Sequence, residues 1–122
     1  MVNKKRRKKL KQLVRYWQRR LGMDHWKVGL CINEYAPEVL GSAQPTPGRP
    51  EAEVMISAES RPSDDEALVC HELVHLALDD FDTLARQWAA RLPKSCRSVF
   101  LSQWDERNEQ VVDRIQKALC AE

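Results

Sequence analysis

The sequence predicts an α+β fold, a small antiparallel sheet packed with helices, and three observations carry that expectation. Apolar residues recur with a helical period in four stretches, they alternate with a period of two in two short stretches between the first and second helices, and 122 residues supply one modest core. The expected order is a helix, two or three strands, a second helix and two further helices. All of it forms a single domain, 1–122, with no internal repeat.

The first helix follows from Leu10, Leu13, Val14, Trp17 and Leu21, which make one apolar stripe with Lys11, Arg15 and Arg19 outside it. It is a basic N-terminal helix of about residues 1–21, and Gly22 ends it. Trp26, Val28, Leu30 and Ile32 then alternate as one buried strand face. Residues 35–50 hold four of the six prolines (Pro37, Pro45, Pro47, Pro50), so they predict a loop with a short edge strand near Leu40–Gln44. Ala52, Val54 and Ile56 alternate with Glu53, Met55 and Ser57 as another strand.

The second helix is expected from about Asp64 to Leu78. Ser63 is placed as its cap and Glu66, three residues on, completes a capping box. A third helix fits Thr83–Leu92, with Phe81, Leu84, Trp88 and Leu92 as its apolar stripe and Pro93 ending it. A fourth fits Val99–Leu119, carrying Trp104, Val111, Ile115 and Leu119.

Charge is distributed unevenly. Residues 1–20 hold ten Lys or Arg and no acid, whereas the other 102 residues hold ten basic and eighteen acidic residues, a balance of −8. Lys4, Lys5, Arg6, Arg7, Lys8 and Lys9 therefore form a candidate contact for nucleic acid or another polyanion, non-specific because no aromatic residues interleave them for base stacking. A solvated helix face is the plainer reading of the same run. No apolar run approaches a membrane span and no secretory signal follows the basic start, which predicts a cytoplasmic chain with no membrane partner. Cys31, Cys70, Cys96 and Cys120 lack any C-x-x-C spacing and read mostly as small buried hydrophobes.

The chemistry concentrates on the second helix. Nine of the twelve residues from Ala67 to Leu78 are apolar, which marks a buried helix, and His71, Glu72 and His75 are its only polar members. Burying a carboxylate and two imidazoles without partners costs several kcal/mol. A divalent metal offsets that cost. His71 and His75 stand at i and i+4 on one helix face, so both imidazoles reach one ion at about 2.0–2.1 Å. Glu72 is rotated away from that pair and is placed to hold a water, the H-E-x-x-H arrangement in which Glu is the general base. Two structural core histidines are the alternative.

A catalytic zinc site takes three protein ligands. His25 is one candidate for the third, although beside Trp26 at a strand start it reads as an exposed turn residue. Glu106, Glu109 and Asp113 share one face of the fourth helix by i, i+3, i+7 spacing. Balanced by Arg107, Arg114 and Lys117, they also fit an ordinary solvated acidic face.

His71-Glu-Leu-Val-His75 followed by Asn108-Glu-Gln-Val-Val-Asp113 resembles the gluzincin branch of the zincin-like metallopeptidases, whose second motif is N-E-x-x-S-D on a downstream helix. In order of elements, the chain is similar to the short zinc peptidases of phages and prophages. The resemblance implies a zincin-like fold and a zinc ion (Zn2+) held by His71, His75 and Glu109. It also implies that Asp113 hydrogen-bonds the ligand His71. Beyond the two motifs the resemblance is in order of elements only, so Glu106 stays in reserve as ligand. Val112 stands where the family has Ser.

The function expected on this basis is zinc-dependent hydrolysis of a peptide or protein substrate, with Glu72 as general base. An extended substrate would lie on an exposed strand edge, Leu40–Gln44 or Ala52–Ser57. No spacing locates an oxyanion stabiliser; Tyr35, His25 and Arg114 are the candidates by residue type. Two other expectations stand beside it: a non-catalytic zinc-stabilised regulatory module, and a nucleic-acid-associated protein working through its basic helix. A zinc nucleobase deaminase is disfavoured, since H-x-E with P-C-x-x-C is absent.

Overall fold

A computed structural model describes residues 3–34 and 39–121 of the chain. Helix α1 (Lys4–Arg20) opens on Asn3, whose side chain accepts from the Arg6 backbone N–H. It ends as the glycine predicts. Gly22 takes a φ of 70°, its N–H bonds to Arg19 O, and Met23 N–H bonds to Gln18 O, the paired bonds of a Schellman ending. Leu10, Val14 and Trp17 are buried along the predicted stripe.

Three strands follow: β1 (Lys27–Asn33), β2 (Gly41–Pro45) and β3 (Glu51–Ser57). The fold is α+β as expected, but the sheet is mixed rather than antiparallel. Its order is β1-β3-β2, with β1 parallel to β3 and β2 antiparallel to it. Proline explains part of the order: β2, ending in Pro45, takes an edge, whereas β1 and β3 are both free of proline. Ala52–Ser57 is consequently the covered centre of the sheet, and of the two predicted substrate edges only the one at Leu40–Gln44 is open. The start of the predicted loop, including Tyr35 and Pro37, lies outside the described residues.

Helix α2 (Asp65–Ala77) is the central element, packed against α1, α4 and the faces of β2 and β3. Val69, Cys70, Leu73, Val74 and Leu76 join Leu10, Trp17, Val54 and Ile56 in one core. The predicted capping box does not form. A single 3-10 turn, Pro62–Asp64, precedes the helix, and neither Ser63 nor any other side chain caps it. The first turn is instead tied down by Arg6. Its Nε and Nη2 donate to Asp65 Oδ2 and Oδ1 at 3.2 and 2.8 Å, and Nη2 also reaches Ser60 O at 3.0 Å. The two side chains are 12% and 2% exposed, so Arg6 is a structural anchor and is removed from the basic surface assigned to it.

Helices α3 (Asp79–Ala89) and α4 (Lys94–Cys120) complete the chain. The stripe expected to bury α3 is turned outward: Phe81 is 63% and Trp88 59% exposed, with Leu84 and Leu92 exposed beside them. Ala85 and Ala89 face inward instead. Small residues allow close helix approach, and the same amphipathic period is satisfied by the opposite face. On α4 the buried position is Val112, not the predicted Val111, which is exposed. All four cysteines are free. Only Cys70 is buried, Cys120 is half-buried against the core, and Cys31 and Cys96 are exposed, contrary to the expected burial. Burial, with Cys120 adjacent, pushes the Cys70 thiol up to about 12, which keeps it protonated and unreactive.

Candidate metal centre

The i, i+4 spacing places the rings of His71 and His75 side by side, with centroids 4.9 Å apart. Helix α4 crosses α2 so that Glu109 meets them both. Its Oε1 lies 2.7 Å from His75 Nε2, and its Oε2 lies 3.4 Å from His71 Nε2. Asp113, one turn further on, stands 3.3 Å from His71 Nδ1, the nitrogen that faces away from Glu109. Val112 sets this arrangement. Fully buried between those two acids in sequence, it joins the core cluster of α2 and so turns Glu109 and Asp113 along the histidine face.

Among the described residues, one group of His, Cys, Asp and Glu brings three donor atoms together, and it is His71, His75 and Glu109, all within 4.8 Å of one another. Donors on a tetrahedral ion with 2.0–2.1 Å bonds lie about 3.3 Å apart. The two His–Glu109 contacts bracket that spacing and all three donor atoms lie within 4.8 Å of one another, so these residues could converge on such an ion by side-chain adjustment. The mixed imidazole–carboxylate donor set with one face open suits a borderline dication with room for a further ligand. Glu106 is exposed and stands outside the group, as does His25, which is exposed in a turn. Arg114 is also exposed, and neither it nor His25 lines the cavities at the centre. Tyr35 lies outside the described residues.

Burial shapes the acid–base character. Glu72 is 6% exposed and its carboxylate pairs with no described residue. Desolvation, reinforced by the negative charge of Glu109, pushes its pKa up to about 7. His75 goes the other way: burial lowers it below the ordinary imidazole value despite the pull of Glu109. A lowered pKa keeps the imidazole neutral, which is the form that ligates metal.

Two cavities flank Glu72 and share it with Gly41 of β2. One, of about 380 Å³, is lined by Ser42, His75, Asp79 and Asn108; the other, of about 520 Å³, by Leu40, Leu68, His71 and Asp113. A Cβ on Gly41 would sit 3.5 Å from Glu72 Oε1, so the edge strand passes directly over the carboxylate. Asp79, Asp82, Ser42 and Asn108 were not assigned a role from sequence. Asn108 adjoins Glu109 in the second motif, but nothing local to Asp79 or Ser42 marks them.

Comparison of the chain with protein-family models, with curated proteins and with solved structures gave no match in any of the three.

Proposed function

We propose that the chain is a zinc-dependent peptidase of the gluzincin type, acting in a reducing compartment where its four cysteines stay free. The observation that carries this reading is Glu109, 34 positions beyond His75, reaching both imidazoles with its two carboxylate oxygens. His71, His75 and Glu109 would hold the ion. When bound, zinc supplies Lewis acidity that acidifies a water and polarises a carbonyl oxygen.

The chain's own groups do the rest. Glu72, at the meeting point of the two cavities, takes the water's proton on its carboxylate and passes it to the leaving amine. A dication opposite Glu72 favours its ionised form, offsetting the desolvation that raises its pKa. Asp113 beside His71 Nδ1 fixes the tautomer that leaves Nε2 free as a ligand. The unpaired edge of β2 offers backbone hydrogen bonds to an extended peptide passing over Glu72.

Glu72→Gln tests the reading. The variant should keep one zinc per chain and lose cleavage of an unfolded protein mixture. Stoichiometric zinc with no cleavage by the unaltered protein, across varied substrates, would favour a zinc-stabilised regulatory module instead.

A second reading rests on α1, where Lys4, Lys5, Arg7, Lys8 and Lys9 are exposed on a helix without a single acid. That surface suits a non-specific polyanion contact with nucleic acid. Replacing Lys4, Lys5, Lys8 and Lys9 with Glu, which leaves the Arg6 anchor intact, should abolish salt-sensitive DNA retention. Retention that persists in the variant, or that ignores salt, rules the contact out.

A further inference from the structure

We propose that Asp79 makes the smaller cavity a subsite for a cationic side chain, so that the protein selects peptides carrying Lys or Arg beside the scissile bond. This inference rests on the peptidase reading of the same groove and names its substrate class.

The two cavities that meet at Glu72 differ in kind. The larger is walled on one side by the apolar Val39, Leu40, Ala67 and Leu68, and is bordered also by Asp64 and by Asp113, which stands against His71. The smaller is bordered by Asp79 and Asp82 at the start of α3, and no Lys or Arg lines it. Asp82 is already committed: it accepts from Arg86 Nε at 3.0 Å and from Trp104 Nε1 at 2.7 Å. Arg86 in turn also donates to Asp105, so a single cation is shared between two carboxylates. Asp79 receives none of that compensation. It is half-buried, makes no hydrogen bond or ion pair with a described residue, and faces the charges of Asp82 and Asp80.

Glu72 gives the independent sign that a ligand belongs here. The residue is 6% exposed, it has no hydrogen-bond partner among the described residues, and it opens into this same cavity. A dication on the histidine side balances Glu72 and Glu109 and leaves Asp79 as the unmatched charge. The volume of about 380 Å³ accommodates a lysine or arginine side chain whose stem packs on Leu76 and Pro45 while its head reaches Asp79.

The test uses the full chain carrying Glu72→Gln and loaded with zinc, so that peptides bind without being cut. Six acetylated and amidated alanine hexapeptides, each with one lysine at a different position, are compared with their norleucine counterparts by calorimetry. The best lysine peptide should bind about tenfold tighter than its norleucine partner, with the advantage shrinking as salt is added. Adding Asp79→Asn should erase the advantage and leave norleucine affinity unchanged, while Asp79→Glu should preserve it. Equal affinities, no binding of any peptide, or an advantage that survives Asp79→Asn would overturn the proposal. Zinc stoichiometry and cleavage by the unaltered protein are read separately. A lysine preference without cleavage removes the peptidase reading and keeps the subsite, whereas cleavage without the preference does the reverse.

Discussion

Replacing Arg6 with Ala should cost about 3 kcal/mol of folding stability, more than truncating any of the exposed Lys4, Lys5, Arg7, Lys8 or Lys9 beside it. The side chain supplies two bonds to Asp65, at 2.8 and 3.2 Å, and two to Ser60, at 3.0 and 3.1 Å. Truncation leaves the Asp65 carboxylate 2% exposed and without its cation, a loss that typically runs to about 3–5 kcal/mol. The estimate belongs at the low end, because Asp65 occupies the first turn of α2, where the positive helix end returns up to about 1 kcal/mol. With roughly 2.1 cal/mol/K of unfolding entropy per residue over 122 residues, the melting temperature should fall by about 12 °C. Urea and thermal unfolding followed by circular dichroism measure both quantities. The sign of a second change is the sharper check: Asp65→Asn added to Arg6→Ala should restore stability, since it removes the stranded charge. A loss under 1 kcal/mol for Arg6→Ala, or a further loss on adding Asp65→Asn, would refute the anchor.

The metal centre, Glu72 and α3 each set a further expected outcome. Glu109→Ala should abolish stoichiometric zinc binding and Asp113→Asn should weaken it about 10–100-fold, both read by competition with a chromogenic chelator; wild-type affinity in either variant contradicts its assigned place. In the metal-stripped protein, Glu72 holds a proton in the folded state between 4.5 and about 7 that the unfolded chain releases. Its contribution is complete below pH 4.5 and is lost as pH rises through 7. Urea unfolding at pH 5 and pH 8 should therefore show a decline of about 2–3 kcal/mol that Glu72→Gln removes, and equal slopes in the two proteins would count against it. On α3, Phe81→Ser and Trp88→Ser should each change stability by under about 0.5 kcal/mol, whereas Ala89→Leu, at 1% exposure, should cost about 1–3 kcal/mol; the opposite ranking would mean that the helix is turned the other way.

What the sequence disclosed and what it withheld divide along one physical line. The ending of α1 at Gly22 and the pairing of His71 with His75 are decided within one helical turn, so spacing alone reveals them. Strand order is not local. β2 and β3 form a hairpin and β1 docks on the far side of β3, a choice between partners that alternation cannot express, although Pro45 does confine β2 to an edge. The amphipathic period of α3 was legible, but which side a neighbour covers depends on α4, and the alanine face allowed the closer approach. Likewise, Arg6 differs from Lys5 and Arg7 only through Asp65, 59 residues away. The candidate centre joins both kinds of information. The histidine pair is local chemistry, while Glu109 arrives through the burial of Val112, the one position of the second motif at which this chain departs from the gluzincin pattern. A serine there would present a hydroxyl to the apolar core and require a partner; valine needs none and belongs to the same core cluster as Val69 and Leu73. The departure therefore strengthens the contact that brings Glu109 to the histidines.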